Sequence, residues 1–569
     1  MKMTKLLKDP ERSEPIFLAL QGGGAKGVVH VGGLIAIDDL GLDVKGVAGT
    51  SAGSMVAALI AAGYKGQDLI DPISRTHIFQ TVAPKYGFSK ATDLFSPNGW
   101  RMLRAIRHVI NPKKHTKSLI KKTSGLHLSL SIAFIGLLLY LIGHHPIFTS
   151  VILFSSAGLL MYKLINGLTS IEKVRVLIDG AISDKCKPGH NNITFKDLAS
   201  AGGIPLKIVA TNTLGECLEL FCLERTPDVV VADAVAASIC LPIIFRPWEF
   251  SFLRESEHTS RVIGGKFVDG GLMSNLPAWP FDEERLLFPE TTTVALGIRS
   301  AQGSNTNDKK HWLPSVINAI VSGTGEIHTR AVGKIIKIPL TTKLGMLDFD
   351  ANIEDIYEEV ERSKITVATQ LQQELIANPR LMREAAEKIK DGCDALIREY
   401  KGLWYTEDSE IESESLSESS HKLRVALGVQ RAGAMKSLSL AFSAGYDKSN
   451  PDNAITLPLT KSIAGNAWLR NETIVANLKE LPKKHLHASE KVWDKIQWVM
   501  CIPLRAASTP DVKSRPFVII IDWTMPIDNN LPDSKIHFEK FAERALESVV
   551  VYTREMKITE IVQGANSWL

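Results

Sequence analysis

The sequence predicts an α/β catalytic domain that is followed by a smaller α+β domain. Near the start of the chain, residues 16–62 contain two consecutive strand–glycine turn–helix units. A later strand ends at Asp269, which two glycines follow directly. Beyond an acidic, serine-rich stretch, short β-branched strands return within residues 423–556. Alternating strands and helices are typical of a parallel sheet covered by helices, whereas the later order indicates a separate domain.

The bulk composition limits the class of protein. At 569 residues, of which 45% are hydrophobic, two or three domains with sizeable cores are expected. The formal net charge of +4 is unremarkable and gives no sign of a nucleic-acid partner. The six cysteines lack the spacing of metal ligands, so we expect reduced thiols and no metal.

The first unit carries a glycine-rich loop. An apolar strand precedes the motif GGGAKG, which begins at Gly22, and apolar residues at helical spacing follow it. Successive backbone N–H groups in such a loop can converge on one anion. Gly22, Gly24 and Gly27 also satisfy the dinucleotide fingerprint, which requires an acidic residue at the end of the next strand. Asp43 precedes that strand instead, so an oxyanion hole is the favoured interpretation and a dinucleotide site the alternative.

The second unit carries a candidate nucleophile. The motif GTSAG runs from Gly49 to Gly53, between a short apolar strand and a run of good helix formers. A serine on such a sharp strand-to-helix turn presents its hydroxyl at the sheet edge, as Ser51 would here. A simple small-residue turn is the alternative interpretation.

The candidate base is Asp269, which Gly270 and Gly271 follow. No histidine stands out as a third member of a triad, since His30 lies on an apolar helix and is interpreted as packed. Asp269 would therefore act directly on Ser51. Because a carboxyl with an ordinary pKa of ~3.9 is a weak base at neutral pH, we expect burial to raise that pKa. An ordinary Asp-Gly turn is the alternative.

In this order the three motifs resemble those of the patatin-like phospholipase family, and residues 236–245 resemble the segment that precedes the family's aspartate. The resemblance covers roughly residues 14–340 apart from an insertion. It implies a three-layer α/β/α domain that hydrolyses acyl esters of glycerolipids through a covalent acyl-enzyme, without a metal or other cofactor. It implies that Ser51 is the nucleophile and Asp269 the proton acceptor of a Ser–Asp dyad. The implied oxyanion hole consists of Gly22, Gly23, Gly24 and Gly27 with the Ala52 N–H, and Gly49, Gly53, Gly270 and Gly271 complete the motifs.

The insertion contains two almost wholly apolar stretches, residues 126–143 and 146–165. A helix of ~20 residues spans a hydrocarbon layer of ~30 Å. The sequence therefore predicts a transmembrane helical hairpin over residues 126–165, with a buried helical pair as the alternative. Under the positive-inside rule, we expect an integral membrane protein whose catalytic and C-terminal domains lie on the cytoplasmic side.

A run of basic residues precedes the apolar stretches. Such a cluster attracts anionic headgroups by about 1 kcal/mol per residue near a surface. The residues predicted to bind the surface of the lipid bilayer are Arg101, Arg104, Arg107, Lys113, Lys114, Lys117, Lys121 and Lys122.

Four parts of the chain are predicted from these patterns. They are a catalytic domain at 14–350, a helical spacer at 351–403, an acidic flexible linker at 404–422 and a C-terminal domain at 423–556. The order of strands and helices in the last part resembles that of GAF-type sensor domains. The resemblance implies a small-molecule or nucleotide regulator, or a role in forming a homodimer.

The sequence thus predicts a membrane-anchored serine lipid acyl hydrolase of phospholipase A or lysophospholipase type, with membrane phospholipid as its substrate and control by the C-terminal domain. Two alternatives from other classes remain open. The first is a lipid acyltransferase, and the second is a catalytically silent membrane sensor or scaffold.

Overall fold

The computed structural model describes most of two compact units. The described residues are 14–110, 166–256, 259–288, 291–300, 334–405, 423–430, 437–446, 455–481, 496–505 and 516–564, together with residue 332 and six positions between 151 and 162. By their internal contacts, residues up to 329 and 337–368 form one unit, and residues 330–336 and 369 onward form the other. The domain boundaries given above stay predictions.

The first unit is built on ten strands and ten helices among the described residues. The strands are β1 Pro15–Leu20, β2 Asp43–Thr50, β3 Ile70–Asp71, β4 Thr76–His77, β5 Leu206–Asn212, β6 Cys217–Phe221, β7 Trp248–Ser256, β8 Thr259–Val268, β9 Thr292–Ser300 and β10 Ile335–Thr342. The helices are α1 Val29–Leu40, α2 Ala52–Ala61, α3 Gly66–Leu69, α4 Ile78–Thr81, α5 Pro97–Ile110, α6 Glu172–Cys186, α7 Phe195–Ser200, α8 Val231–Ile239, α9 Asp282–Leu287 and α10 Ile353–Leu371.

Eight of the strands form one sheet in the order β10-β9-β1-β2-β5-β8-β7, with β6 paired to β5. Strands β9, β1, β2 and β5 run parallel, so the carboxyl ends of β1 and β2 meet at the same edge. Strand β8 runs antiparallel to β5, and its last residue, Val268, pairs with Thr211 near the end of β5. The residue after β8 therefore reaches the edge at which β1 and β2 end.

The residues of the central elements explain this arrangement. Strand β1 is a continuous apolar run whose last five residues are buried, as expected of a strand covered on both faces. Helix α1 is also apolar nearly all round, and most of its residues are buried. A Cβ at Gly32 of α1 would lie 2.1 Å from the Ser363 Oγ atom, so α10 packs directly on this helix. The mixed α/β fold that the sequence predicts is confirmed.

The second unit contains one antiparallel sheet. Its elements are α11 Asn378–Glu399, β11 Leu423–Gln430, β12 Ser437–Ala444, β13 Thr456–Pro458, α12 Ile463–Arg470, β14 Ile474–Asn477, β15 Trp498–Pro503, β16 Phe517–Trp523, α13 Ser534–Glu555 and α14 Ile558–Gly564. The strand order is β13-β12-β11-β16-β15-β14. Alternate residues of β11 face opposite sides: Val425 and Leu427 join a core with α11 and α13, whereas Ala426 joins a core with α12.

The prediction of a transmembrane hairpin at residues 126–165 is corrected. Every helix within the described part of the chain is too short or too polar to cross a membrane. The longest, α11 and α13, have 22 residues each but carry charged side chains along their length. Most of the predicted hairpin lies outside the described residues. Apolar length in a sequence does not by itself distinguish a bilayer span from a segment buried in protein. The expected integral-membrane location is therefore also not supported.

Candidate active site

Ser51 occupies the sharp turn between β2 and α2. Its φ of 52° and ψ of −127° are unusual for a residue with a side chain, and such strain is often found at functional sites. The turn is possible because the backbones on either side approach each other closely. A Cβ at Gly49 would lie 2.4 Å from the Gly53 carbonyl oxygen, and a Cβ at Gly53 would lie 2.3 Å from the Leu20 carbonyl oxygen.

Hydrogen bonds from outside the turn hold Ser51 in this conformation. The Ser51 N–H donates to Ser238 Oγ at 2.9 Å, and the Ser238 hydroxyl donates to the Val209 carbonyl at 2.6 Å. The Ser54 hydroxyl donates to the Ser51 carbonyl at 2.6 Å. Ser238 is fully buried in α8, and no role was predicted for it from the sequence. Two signals could have identified it: a hydroxyl in an apolar helix, and its place in residues 236–245, which resemble a segment of the family.

The structure brings Ser51 and Asp269 together, although they are 218 positions apart in the chain. The Ser51 hydroxyl donates to Asp269 Oδ2 at 2.6 Å, which is within the reach of a general base. The other carboxylate oxygen accepts the Gly271 N–H at 2.7 Å. The Asp269 N–H donates to the Cys240 carbonyl at 2.8 Å, which fixes the backbone of the aspartate. Ser51 is 8% exposed and Asp269 is 5% exposed.

Burial shifts the pKa of two side chains at the site, Asp269 and His30. It raises the pKa of Asp269 to about 6, against the opposing effect of the hydrogen bonds from Ser51 and Gly271. His30 is also buried, and burial lowers its pKa to about 4. The neutral His30 ring contacts the Gln21 carbonyl through Nε2 at 2.8 Å. His30 therefore holds the backbone just before the glycine loop.

Gly22 brings the glycine loop against the nucleophile. A Cβ at this position would lie 2.9 Å from Ser51 Cβ and 2.6 Å from Asn275 Oδ1. The Gly22 N–H donates to the Asn275 carbonyl at 3.1 Å and is therefore occupied. Gly27 plays a packing role, since a Cβ there would lie 2.7 Å from Ala52 Cβ.

The next residues of the loop present free donors. Gly24 has a φ of +58°, and a Cβ on it would lie 2.4 Å from the Met346 carbonyl oxygen. That oxygen accepts the Ala25 N–H at 2.9 Å. Within the described residues, the N–H groups of Gly23, Gly24 and Ala52 have no hydrogen-bond acceptor. They are available to a ligand.

The predicted surface-binding residues fall into three groups. Arg101 and Arg104 are exposed on α5. Arg107 has a side chain only 13% exposed and forms an ion pair with Asp350. The remaining five, Lys113, Lys114, Lys117, Lys121 and Lys122, lie outside the described residues. No group of three or more His, Cys, Asp or Glu side chains placed to hold a metal ion occurs in the part of the chain that the structure describes.

Residues 18–282 match the family model of the patatin-like phospholipases. They include the glycine loop, Ser51 and Asp269 at the positions described above. The N-terminal part of the chain thus matches a patatin-like phospholipase domain. This patatin-like domain confirms the predicted enzyme class, a lipid hydrolase.

Similar proteins give further comparisons for the chain. The uncharacterized protein YqhO of Bacillus subtilis is 26% identical over 266 residues, which are 46% of this chain and 66% of that protein. The crystal structure of VipD from Legionella pneumophila is similar at 18% identity and a TM-score of 0.31, over 63% of this chain and 67% of VipD. A GAF domain/HD domain protein of Geobacter sulfurreducens covers 31% of this chain and 96% of its own, at 12% identity and a TM-score of 0.20. At these TM-scores neither structural likeness bears on function.

The pH dependence of catalysis is expected to follow the Asp269 carboxyl. Asp269 must be ionised to accept the Ser51 proton, so kcat/KM should rise with pH along a limb centred near pH 6 and level off above it. The pKa of His30 is too low to cause that limb. The measurement is hydrolysis of a soluble short-chain ester from about pH 4 to about pH 9. A flat profile, or a limb near the ordinary aspartate value, would contradict this assignment.

Proposed function

We propose that this chain is a serine acyl hydrolase that releases fatty acids from glycerophospholipids through a Ser51–Asp269 dyad. The observation that carries the proposal is the 2.6 Å hydrogen bond from the Ser51 hydroxyl to Asp269 Oδ2 inside a patatin-like phospholipase domain. The raised pKa of Asp269, about 6, supports its role as a base, because a base works best when its pKa lies near the working pH.

The reaction begins when Ser51 Oγ attacks the carbonyl carbon of the acyl ester and its proton passes to Asp269 Oδ2. The resulting oxyanion accepts hydrogen bonds from the free N–H groups of Gly23, Gly24 and Ala52, which are preorganised for it. Ala52 is also the first residue of α2, whose N-terminal dipole favours negative charge there. These three N–H groups do not have to give up another hydrogen bond before they bind the oxyanion.

The tetrahedral intermediate collapses by cleaving the ester C–O bond. The leaving lysophospholipid oxygen takes the proton from Asp269, and the acyl group stays on Ser51 Oγ. Water then attacks the acyl-enzyme, giving its proton to Asp269, and the fatty acid leaves as Ser51 recovers its proton. One carboxylate therefore serves both half-reactions as base and then as acid.

The C-terminal unit is proposed to be a GAF-like regulatory domain that binds a small molecule or nucleotide, or that pairs two copies of the chain. Its six-stranded antiparallel sheet, with helices packed on both faces, supports this proposal. The exposed Arg101 and Arg104 are proposed to contact anionic headgroups. A chain ending at residue 422 that kept the native rate, and the native response to every effector tested, would refute regulation by this unit.

Lipid mass spectrometry on membranes from cells that express the chain tests the proposed activity. Free fatty acid and lysophospholipid are expected to rise with the native chain and not with Ser51→Ala, because the alanine has no nucleophilic oxygen. Ser200→Ala is the matched control, since Ser200 is exposed at the end of α7, and it should behave as the native chain does. Equal product from the native chain and Ser51→Ala would contradict the proposal. Acyl transfer to added lysolipid, without free fatty acid, would assign the chain to the acyltransferases instead.

A further inference from the structure

Arg107 differs from the other arginines of α5 because its charge is directed into the protein. Arg101 and Arg104 are exposed, whereas the Arg107 side chain is 13% exposed. Its guanidinium forms two hydrogen bonds with the Asp350 carboxylate, one from Nη1 to Oδ1 and one from Nη2 to Oδ2 at 3.1 Å. Nη1 also reaches the Leu347 carbonyl at 3.5 Å. A paired fork of this kind constrains both distance and orientation.

Asp350 ends a short segment, residues 345–350, that supports the glycine loop at its other end. Four positions before Asp350, the Met346 carbonyl accepts the Ala25 N–H at 2.9 Å. The same carbonyl lies against Gly24, where a Cβ would come within 2.4 Å of its oxygen. A displacement of this segment would therefore shift the backbone that carries the free N–H donors.

Aromatic contacts also connect α5 to residues 345–350. Phe349, the residue before Asp350, packs on Phe95 with ring centroids 5.0 Å apart. Phe95 in turn contacts Trp100 of α5 at 5.5 Å. Phe95 is 4% exposed, so this contact lies in the core. The ion pair and the aromatic contact thus connect α5 to residues 345–350.

We infer that Arg107 is a positioning residue for the oxyanion hole, acting through Asp350 and the Met346 carbonyl on Gly23 and Gly24. The inference rests on the proposed function of those two glycines. The ion pair holds residues 345–350 in place, and the Met346 carbonyl then holds the glycine loop at the distance from Ser51 that catalysis requires. Arg107 is thereby separated from the exposed arginines of α5, whose charges face solvent.

Kinetics on a soluble short-chain ester test the inference without involving a membrane surface. Arg107→Ala and Asp350→Ala are each expected to lower kcat about 10- to 100-fold with little change in KM, because a displacement of about 1 Å costs up to this much. Labelling of Ser51 by a fluorophosphonate should slow in parallel, since it also requires the oxyanion donors. Lys85→Ala is the matched control and should keep the native kcat, because it removes an exposed ion pair, with Asp184 at 2.8 Å, elsewhere in the same unit.

A purely structural role for the ion pair predicts a different set of results. It would lower the melting temperature while the folded fraction kept the native kcat, and that outcome would overturn the inference. Equal kcat for Arg107→Ala and Lys85→Ala would also overturn it. If Arg107→Ala does not fold, Arg107→Lys decides: a folded variant with lowered kcat supports the inference, and one with native kcat overturns it. Failure of the native chain to hydrolyse any ester would instead refute the proposed function.

Discussion

Replacing Asp269 by asparagine is expected to lower kcat for ester hydrolysis by about 10⁴-fold, a loss typical of removing the acceptor in such a catalytic unit. The carboxamide has nearly the shape of the carboxylate and can still accept the Gly271 N–H. It cannot take the Ser51 proton, so the hydroxyl stays a weak nucleophile. The measurements are kcat on a soluble ester and the rate at which a fluorophosphonate labels Ser51. Asp228→Asn, at an exposed aspartate in the same unit, is the matched control and should leave both unchanged.

The same substitution is expected to leave the fold equally or more resistant to heat at pH 7. Burial raises the pKa of Asp269, so the folded chain holds this proton more tightly than the unfolded chain does. The free energy of unfolding therefore falls as the pH rises from about 4 to about 6, where the buried carboxyl becomes ionised. From the size of the pKa shift, the ionised carboxyl costs about 3 kcal/mol of folding free energy at pH 7, which a neutral asparagine avoids.

If the kcat of Asp269→Asn stayed within tenfold of the native value, Asp269 would be excluded as the base.

Gly24→Ala is expected to lower kcat by about 10²- to 10³-fold, the loss typical of removing one oxyanion donor. The alanine Cβ would meet the Met346 carbonyl oxygen at 2.4 Å, so the loop must move and carry its free N–H groups away from Ser51. Its φ of +58° adds backbone strain of about 1 kcal/mol or more for a residue with a side chain. The measurement is kcat on a soluble ester together with the melting temperature.

Gly63→Ala separates the two causes. Gly63 also has a positive φ, +95°, but a Cβ there would meet nothing within 4 Å. We expect this control to lose stability through backbone strain while keeping the native kcat. If Gly24→Ala also kept the native kcat, the donors of the glycine loop would not stabilise the oxyanion.

Much of the α/β unit follows from local sequence patterns. The apolar run of β1, the glycine motif after it and the second strand–turn–helix unit are each complete within a few residues, so their structures are set by local backbone geometry. The order of these motifs along the chain also indicated the family. The prediction of a transmembrane hairpin at residues 126–165 was wrong because it rested on apolar length alone. An apolar segment can be buried against lipid or against protein, and the local sequence does not distinguish the two.

The supports of the site are different, because they come from residues far apart in the chain. Ser238 holds the Ser51 N–H, the Asn275 carbonyl takes the Gly22 N–H, and the Met346 carbonyl takes the Ala25 N–H. The two carbonyls belong to no motif, since any residue can offer a carbonyl. Ser238 lies in the segment 236–245 that resembles the family, but that resemblance does not say which backbone group the serine holds. The two carbonyls determine which N–H groups of the glycine loop remain free, and Ser238 fixes the backbone of the nucleophile.

By itself, therefore, the sequence determined the mixed α/β fold of the N-terminal part, its patatin-like motifs and the two residues proposed to react. Only the tertiary structure showed that Ser51 Oγ lies 2.6 Å from Asp269 Oδ2 and that burial raises the pKa of the Asp269 carboxyl. It also showed that Arg107 forms an ion pair with Asp350 instead of facing solvent. The physical reason is that the conformation of a short motif depends mainly on residues that are adjacent in the sequence. Distance, burial and pairing depend on every segment that packs around the site.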